Sequence, residues 1–158
     1  MKSQVSAGLL LFRVNGSELE FLLVHPGGPF FAHKDHGSWT IPKGEVTPGE
    51  ELLERARIEF AEELGFEPQG DFLSLGSVRQ KGGKTVHAWA YAGDLPADFA
   101  LRSNSFEIEW PPRSGKRQTY PEIDRAEWFS DEEAGRKINP AQVPLLDRAR
   151  AAVFSQIL

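Results

Sequence analysis

Gly44-Glu45-Val46-Thr47-Pro48-Gly49-Glu50, followed after seven residues by Ile58-Glu59-Phe60-Ala61-Glu62-Glu63-Leu64-Gly65-Phe66, is the stretch on which the reading of this chain turns. Leu53, Ala56, Phe60 and Leu64 recur at helical spacing, with Pro48 upstream as a start signal and Gly65 as a stop, so the pattern predicts a helix over residues 50–64. Glu59, Glu62 and Glu63 then stand at i, i+3 and i+4, and their carboxylates share one face. Like charges held this close repel one another, and a hard divalent cation would relieve the repulsion. Magnesium, which prefers oxygen ligands and bridges carboxylates to phosphates, suits such a face. The apolar stripe points about a quarter-turn away and would anchor the helix to a core. Acidic triplets on helices are also commonly no more than solvated faces, and the three residues alone leave that alternative open.

The same stretch resembles the Nudix box, whose pattern is Gly, five residues, Glu, seven residues, then Arg-Glu-U-x-Glu-Glu-x-Gly-U with U apolar. Every position agrees except that Ile58 stands where the family has arginine. Trp39-Thr40-Ile41-Pro42-Lys43 before the box, and Glu122-Ile123-Asp124-Arg125-Ala126-Glu127-Trp128-Phe129 after it, also look like the family. The resemblance implies hydrolysis of a nucleoside diphosphate linked to another moiety, with Mg2+ or Mn2+ held by box glutamates. It assigns Glu59, Glu62 and Glu63 as metal ligands with the carbonyl of Gly44, and Glu50 as the remaining box carboxylate among the catalytic residues. Glu63 is the first choice of general base; Glu109 and Glu122 are the candidates outside the box, each equally readable as a surface carboxylate near a strand end. The family's arginine pairs with box carboxylates and holds them in place; Arg55, four residues before Glu59 on the carboxylate side of the helix, could supply a substitute contact, and reads equally as a solvated surface arginine.

For substrate, Trp39 and Pro42-Lys43-Gly44 resemble the box entry of members acting on dinucleoside polyphosphates or diphosphoinositol phosphates, where many other members carry a second glycine in place of the lysine. Lys43 is therefore a candidate phosphate contact and Trp39 a candidate substrate residue. Arg113, with Lys116 and Arg117, forms a local basic cluster suited to further phosphates, although a solvated loop explains it as well. Phe30, Phe31 and Trp110 are candidates for stacking on a base, in a chain where most aromatics must be core. His33 and His36 lie in a polar loop, and His87 in an expected strand. The implied substrates are small-molecule nucleotides, with dinucleoside polyphosphates and nucleoside triphosphates first. The alternative is a non-catalytic nucleotide-binding sensor of the same fold.

Around this core the rest of the chain is read from pattern. Residues 5–14 and 18–25 are apolar runs separated by Asn15-Gly16-Ser17, which predicts a hairpin. Residues 25–38, rich in turn formers, read as a mobile polar loop. Residues 72–80, 85–92, 106–110 and 125–129 read as strands, Ser130 as a helix cap, and residues 144–157 as an amphipathic helix carrying Leu145, Leu146, Ala149, Val153 and Ile157. The mixture implies one α/β domain over residues 1–158, a Nudix-type α/β/α sandwich with a mixed sheet between the residue 50–64 helix and the C-terminal helix.

Composition bounds the partners. With 40% hydrophobic residues and 158 positions, one core is affordable; 18 basic against 23 acidic residues give a net charge of -5, so there is no general pull towards nucleic acid or anionic lipid. The absence of cysteine excludes disulfides and thiolate sites and fits a reducing cytoplasm. The apolar run at residues 7–12 is too short to span a bilayer and is not followed by a cleavage pattern, so neither a membrane helix nor a signal peptide is expected. An exposed strand would be a route to a homodimer, on which the sequence is silent.

Overall fold

The computed structural model describes residues 4–157, with side chains described as far as Ser155. The proposed contribution of Ile157 to the C-terminal apolar stripe therefore lies outside the described side chains. Strand β1 (Val5–Asn15) is the centre of a mixed sheet in the order β4-β5-β1-β2-β8, with β3 also pairing β1. β1 runs antiparallel to β2 (Glu18–Pro26) and β3 (Lys43–Glu45) and parallel to β5 (Thr85–Ala92). β4 (Leu73–Arg79) and β8 (Ile123–Ser130) complete the sheet on either side. A separate hairpin is made by β6 (Ser105–Glu109) and β7 (Arg117–Pro121). Among the described residues there are three α-helices: α1 (Leu52–Leu64) follows β3, and α2 (Asp131–Lys137) and then α3 (Val143–Ile157) follow β8. Among the described residues, no helix is long and apolar enough to cross a membrane.

Both faces of the sheet are covered, which is why β1 reads as an unbroken apolar run and not as an alternating one. Ala7, Leu9 and Leu11 of β1 and Leu22 and Val24 of β2 meet Ala56, Phe60 and Leu64 of α1. Leu10, Phe12, Phe21 and Leu23 point the other way, to Leu145, Leu146, Ala149 and Val153 of α3. The expected α/β/α sandwich is thus the observed architecture, and period-two alternation in the strands assigns each side chain to its helix.

The hairpin between β1 and β2 has the expected place, with Asn15 opposite Glu18. Only Gly16, φ 67°, takes the left-handed conformation, so Gly16-Ser17 is the two-residue loop and Asn15 ends the strand. The first helix starts at Leu52, later than residue 50. Thr47-Pro48-Gly49-Glu50 is a tight turn closed by the Glu50 N–H donating to the Thr47 carbonyl at 3.1 Å, with Gly49 at φ 90°. Glu50 consequently stands before the helix. Gly65 ends α1 at φ 85°, its N–H donating to the Ala61 carbonyl at 2.8 Å. Strand β7 was not anticipated, because its mostly exposed residues carry no apolar alternation and only pairing with β6 defines it.

The loop read as mobile is tied down at several points. Asp35 accepts from the Trp39 indole N–H at 2.8 Å and from Lys137 at 2.5 Å, while the ring nitrogens of buried His25 are taken up by the Asp124 carboxylate at 2.7 Å and the Lys34 carbonyl at 2.8 Å. After the loop, Trp39 to Ile41 is clamped between β2 and the connection into α3. Trp39 exchanges backbone hydrogen bonds with Lys137 and Asn139, and Thr40 does so with Val24. Fully buried Gln142 closes the clamp: its carbonyl oxygen accepts from the Ile41 N–H at 3.1 Å, and its amide nitrogen donates to Thr40 Oγ1 at 2.9 Å and Gln80 Oε1 at 2.8 Å.

Replacing Gln142 by leucine fills the space but strands the buried Ile41 N–H. We expect Gln142→Leu to lower stability by about 2–4 kcal/mol, read as a lower urea midpoint at unchanged m-value. A loss below about 0.5 kcal/mol would mean the clamp is not holding this segment.

Candidate functional site

The site is made where β3 and α1 touch. β3 takes the edge of β1 that β2 leaves free, with Ser6 opposite Glu45, Ala7 opposite Gly44 and Gly8 opposite Lys43. Gly8 is required there, since a Cβ on it would lie 2.5 Å from the Pro42 carbonyl oxygen. Gly44 then receives Glu59 of α1: a Cβ on Gly44 would sit 2.0 Å from Glu59 Cδ and 2.3 Å from its Oε1. No side chain other than hydrogen fits between this strand and that carboxyl group.

One turn further along the helix, Glu63 is 7% exposed, and its Oε2 has no hydrogen-bond partner among the described residues. Burial, followed by the charge of Glu59, pushes its pKa up to about 8, against the opposing pull of Lys43. Glu59 is raised as well, by burial and then by Glu62, while Arg55 works in the other direction. Glu62 itself is exposed at the helix surface. Glu122, exposed between β7 and β8, adds its charge to both Glu59 and Glu63. The structure therefore sets Glu59 against Gly44 with Glu63 one turn further on, while Glu62 acts on Glu59, and Glu122 on both Glu59 and Glu63, through charge. Among the described residues, no three His, Asp or Glu side chains are close enough to enclose an ion as they stand.

Arg55 pairs with two box carboxylates. Its Nη1 donates to Glu59 Oε1 at 3.2 Å, and its Nε donates to Glu50 Oε2 at 2.9 Å, with Nη2 on the same oxygen. The other oxygen of Glu50 accepts from the Thr47 N–H at 2.8 Å and from Thr47 Oγ1 at 2.5 Å. These contacts, led by Arg55, lower the Glu50 pKa to about 2. Glu50 is thus an ion-pair partner locked to the start of the helix.

Lys43 is partly buried beside Glu63, and burial lowers its pKa despite that neighbour, with Lys84 lowering it further. A cavity of about 360 Å³ next to it is lined by Phe31, Lys34, Thr40, Lys43, Gln80 and Asn139. Lys34 and Lys84 were not singled out from the sequence; a lysine on a turn carries no signal until the fold shows what it faces. Trp39 is fully buried, packed edge-on to Phe129 at 4.9 Å and His25 at 5.1 Å, so as placed it offers a ligand no surface. Its indole N–H, the one polar atom, is spent on Asp35. Glu109 and Arg113 lie on the β6–β7 hairpin, where the Glu109 carboxylate accepts from the Arg113 N–H at 2.9 Å. Nothing ties Glu109 to the Glu59–Glu63 cluster.

The NUDIX domain family profile matches residues 2–149. The chain is 33% identical over 118 residues to the bis(5'-nucleosyl)-tetraphosphatase (asymmetrical) of Rattus norvegicus, covering 66% of this chain and 76% of that protein. The Mus musculus protein of the same name is 35% identical over the same length and coverage. Among solved structures, a C. elegans Ap4A hydrolase binary complex matches with a TM-score of 0.69 at 24% identity, over 95% of this chain and 98% of that one. The NUDIX domain of Shewanella oneidensis NrtR, complexed with ADP ribose, matches with a TM-score of 0.66 at 15% identity, over 97% and 90% of the two chains. At these identities the two structures bear on the fold alone.

In chelator-treated protein the Glu63 carboxyl keeps its proton up to about pH 8 when folded, against an ordinary value of 4.5 when unfolded. Between those values the folded state binds the extra proton, so this group's contribution to stability is full below about pH 4.5 and is lost as pH rises through about 8. We expect Glu63→Gln to remove that decline, gaining on the wild type by on the order of a few kcal/mol between pH 5 and 8.5 in urea titrations. Parallel pH profiles for the two proteins would contradict the raised proton affinity of the buried carboxyl.

Proposed function

This chain belongs to the NUDIX domain family, and on that premise we propose that it hydrolyses dinucleoside polyphosphates, with nucleoside triphosphates as the second substrate class, using magnesium or manganese. By its family and its two rodent relatives, the chain is a NUDIX-type pyrophosphohydrolase acting on phosphoanhydride bonds. The substrate reading is supported by what those relatives are called and by the lysine-lined cavity beside Lys43.

The observation that carries the metal is the Glu63 oxygen, buried without a partner among carboxylates that raise one another's proton affinity. Such a cluster is short of positive charge, and an oxygen-preferring divalent ion fits its chemistry. Glu59, Glu62 and Glu63 would hold the ion, with the carbonyl of Gly44. When bound, it supplies charge neutralisation at phosphate oxygens and acidifies bound water.

The chain's own residues do the rest. Once compensating positive charge at the cluster has ionised it, Glu63 takes the proton as a water oxygen bonds to phosphorus; the bridging P–O bond breaks, and the leaving phosphate departs with its electron pair. Lys43 faces the phosphates as a point charge, and Arg55 keeps Glu59 in register with Gly44 by holding it to Glu50. Glu122 is the reserve base outside the box, and its charge already reaches the cluster. Asymmetric cleavage of a dinucleoside tetraphosphate leaves a nucleoside triphosphate and a monophosphate.

Incubated with diadenosine tetraphosphate and magnesium, the protein is expected to yield ATP and AMP by ion-exchange chromatography, with Glu62→Gln and Glu63→Gln each slower by about 100-fold or more. Nucleotide binding without any product, with either magnesium or manganese, would make the chain a sensor instead. Arg55→Ala should lower kcat about tenfold and move KM little, with Arg55→Lys restoring part of it; unchanged turnover would remove Arg55 from the positioning role.

A further inference from the structure

The β6–β7 hairpin is not part of the main sheet, and the chain goes to some length to press it against the loop after β2. A Cβ on Gly27 would lie 2.0 Å from the Pro121 carbonyl oxygen, and one on Gly28 would lie 2.7 Å from the Phe106 ring. The Gly27 N–H donates to the Glu122 carbonyl at 2.8 Å. Two adjacent positions without side chains are what let loop and hairpin close on each other. Between them remains a slot of about 430 Å³, lined by Pro29, His33, Trp110, Tyr120, Pro121 and Asp124, among others. That is the size of a small-ligand site.

One wall of the slot is aromatic and already braced. Phe30 meets the Trp110 ring edge-on at 5.2 Å, Tyr120 lies against Phe106 at 6.1 Å, and Tyr120 Oη donates to Gln118 Oε1 at 3.0 Å. Gln118 in turn donates to the Trp110 carbonyl at 2.9 Å. Asp124, which also lines the slot together with exposed His33, gives one oxygen to His25 and leaves a third of its side chain exposed. A flat apolar face with an acceptor at its rim suits a heteroaromatic ring bearing an amino group. It does not suit a phosphate, which the Asp124 carboxylate would repel. Pro121 and Asp124 flank Glu122, whose charge is felt by Glu59 and Glu63. A ligand with a ring at one end and phosphate at the other would span slot and carboxylates.

We propose that this slot is the nucleobase pocket of the enzyme, with Trp110 as its stacking face and Asp124 as acceptor for the base's amino group. The assignment rests on the hydrolase reading for its substrate but not for its test. AMP, titrated into chelator-treated, 15N-labelled protein, should shift the Trp110 indole resonance, assigned by its loss in Trp110→Phe, while ribose 5-phosphate at the same concentration should not. Trp110→Ala and Trp110→Leu should weaken AMP about tenfold or more, with Trp110→Phe within about threefold of wild type. In turnover, Trp110→Leu should raise KM for diadenosine tetraphosphate and leave kcat within about twofold. The proposal is overturned if AMP leaves the Trp110 resonance in place, if ribose 5-phosphate moves it equally, or if Trp110→Leu binds AMP as wild type does. AMP binding that depends on Trp110, in a protein that hydrolyses nothing, would keep the pocket and discard the hydrolase.

Discussion

The contact between the Glu59 carboxyl and the bare Cα of Gly44 is the constraint on which the rest depends. It sets the distance between a helix and a strand at one point, and that point is where the acidic face of α1 meets backbone. The central strand makes the contact reproducible: β1 is buried on both faces and holds β3 at one end of its edge while pairing β2 at the other. Packing of Ala56, Phe60 and Leu64 against Ala7, Leu9 and Leu11 then fixes the rotation of α1, so its carboxylates cannot turn away from Gly44 without emptying a core.

Charge is handled unevenly along this face. Arg55 neutralises the end nearest the helix start, drawing Glu50 well below the ordinary carboxylate range and reaching Glu59 with its remaining nitrogen. Further along, no arginine or partner for its second oxygen reaches Glu63 among the described residues, and partly buried Lys43 is the cation that pulls on it. An isolated buried carboxylate costs several kcal/mol when ionised, so leaving one uncompensated beside Glu59 is a local sacrifice of stability. Sites that work on charged substrates are where such sacrifices concentrate. Ile58 offers these carboxylates no charge, whereas Arg55, four residues before Glu59, donates to it from the same side of the helix.

Much of this was legible as pattern. Helix α1, its acidic face, the β1–β2 hairpin, the cap at Ser130 and the two-layered covering of the sheet all follow from periodicity and turn chemistry, which act over a few residues. The placement of Arg55 towards Glu59 follows likewise from helical geometry. Less was legible where pairing or burial decides. Glu50 fell outside the helix because Gly49 needs a left-handed backbone; β7 exists only because β6 offers it hydrogen bonds. Trp39, attractive as a box neighbour, is drawn into the core by backbone bonds to residues about a hundred positions away.

Alone, then, the order of residues determined which carboxylates lie on one helical face, where that helix stops, and which family the box belongs to, because each is a matter of spacing along a regular backbone. Only the folded chain decided that Glu63 is buried and Glu62 is not, that the charge of Glu122 reaches Glu59 and Glu63, and that two glycines admit a hairpin to a loop. Those outcomes depend on which distant segments fill the same volume, and close packing settles that for the molecule as a whole.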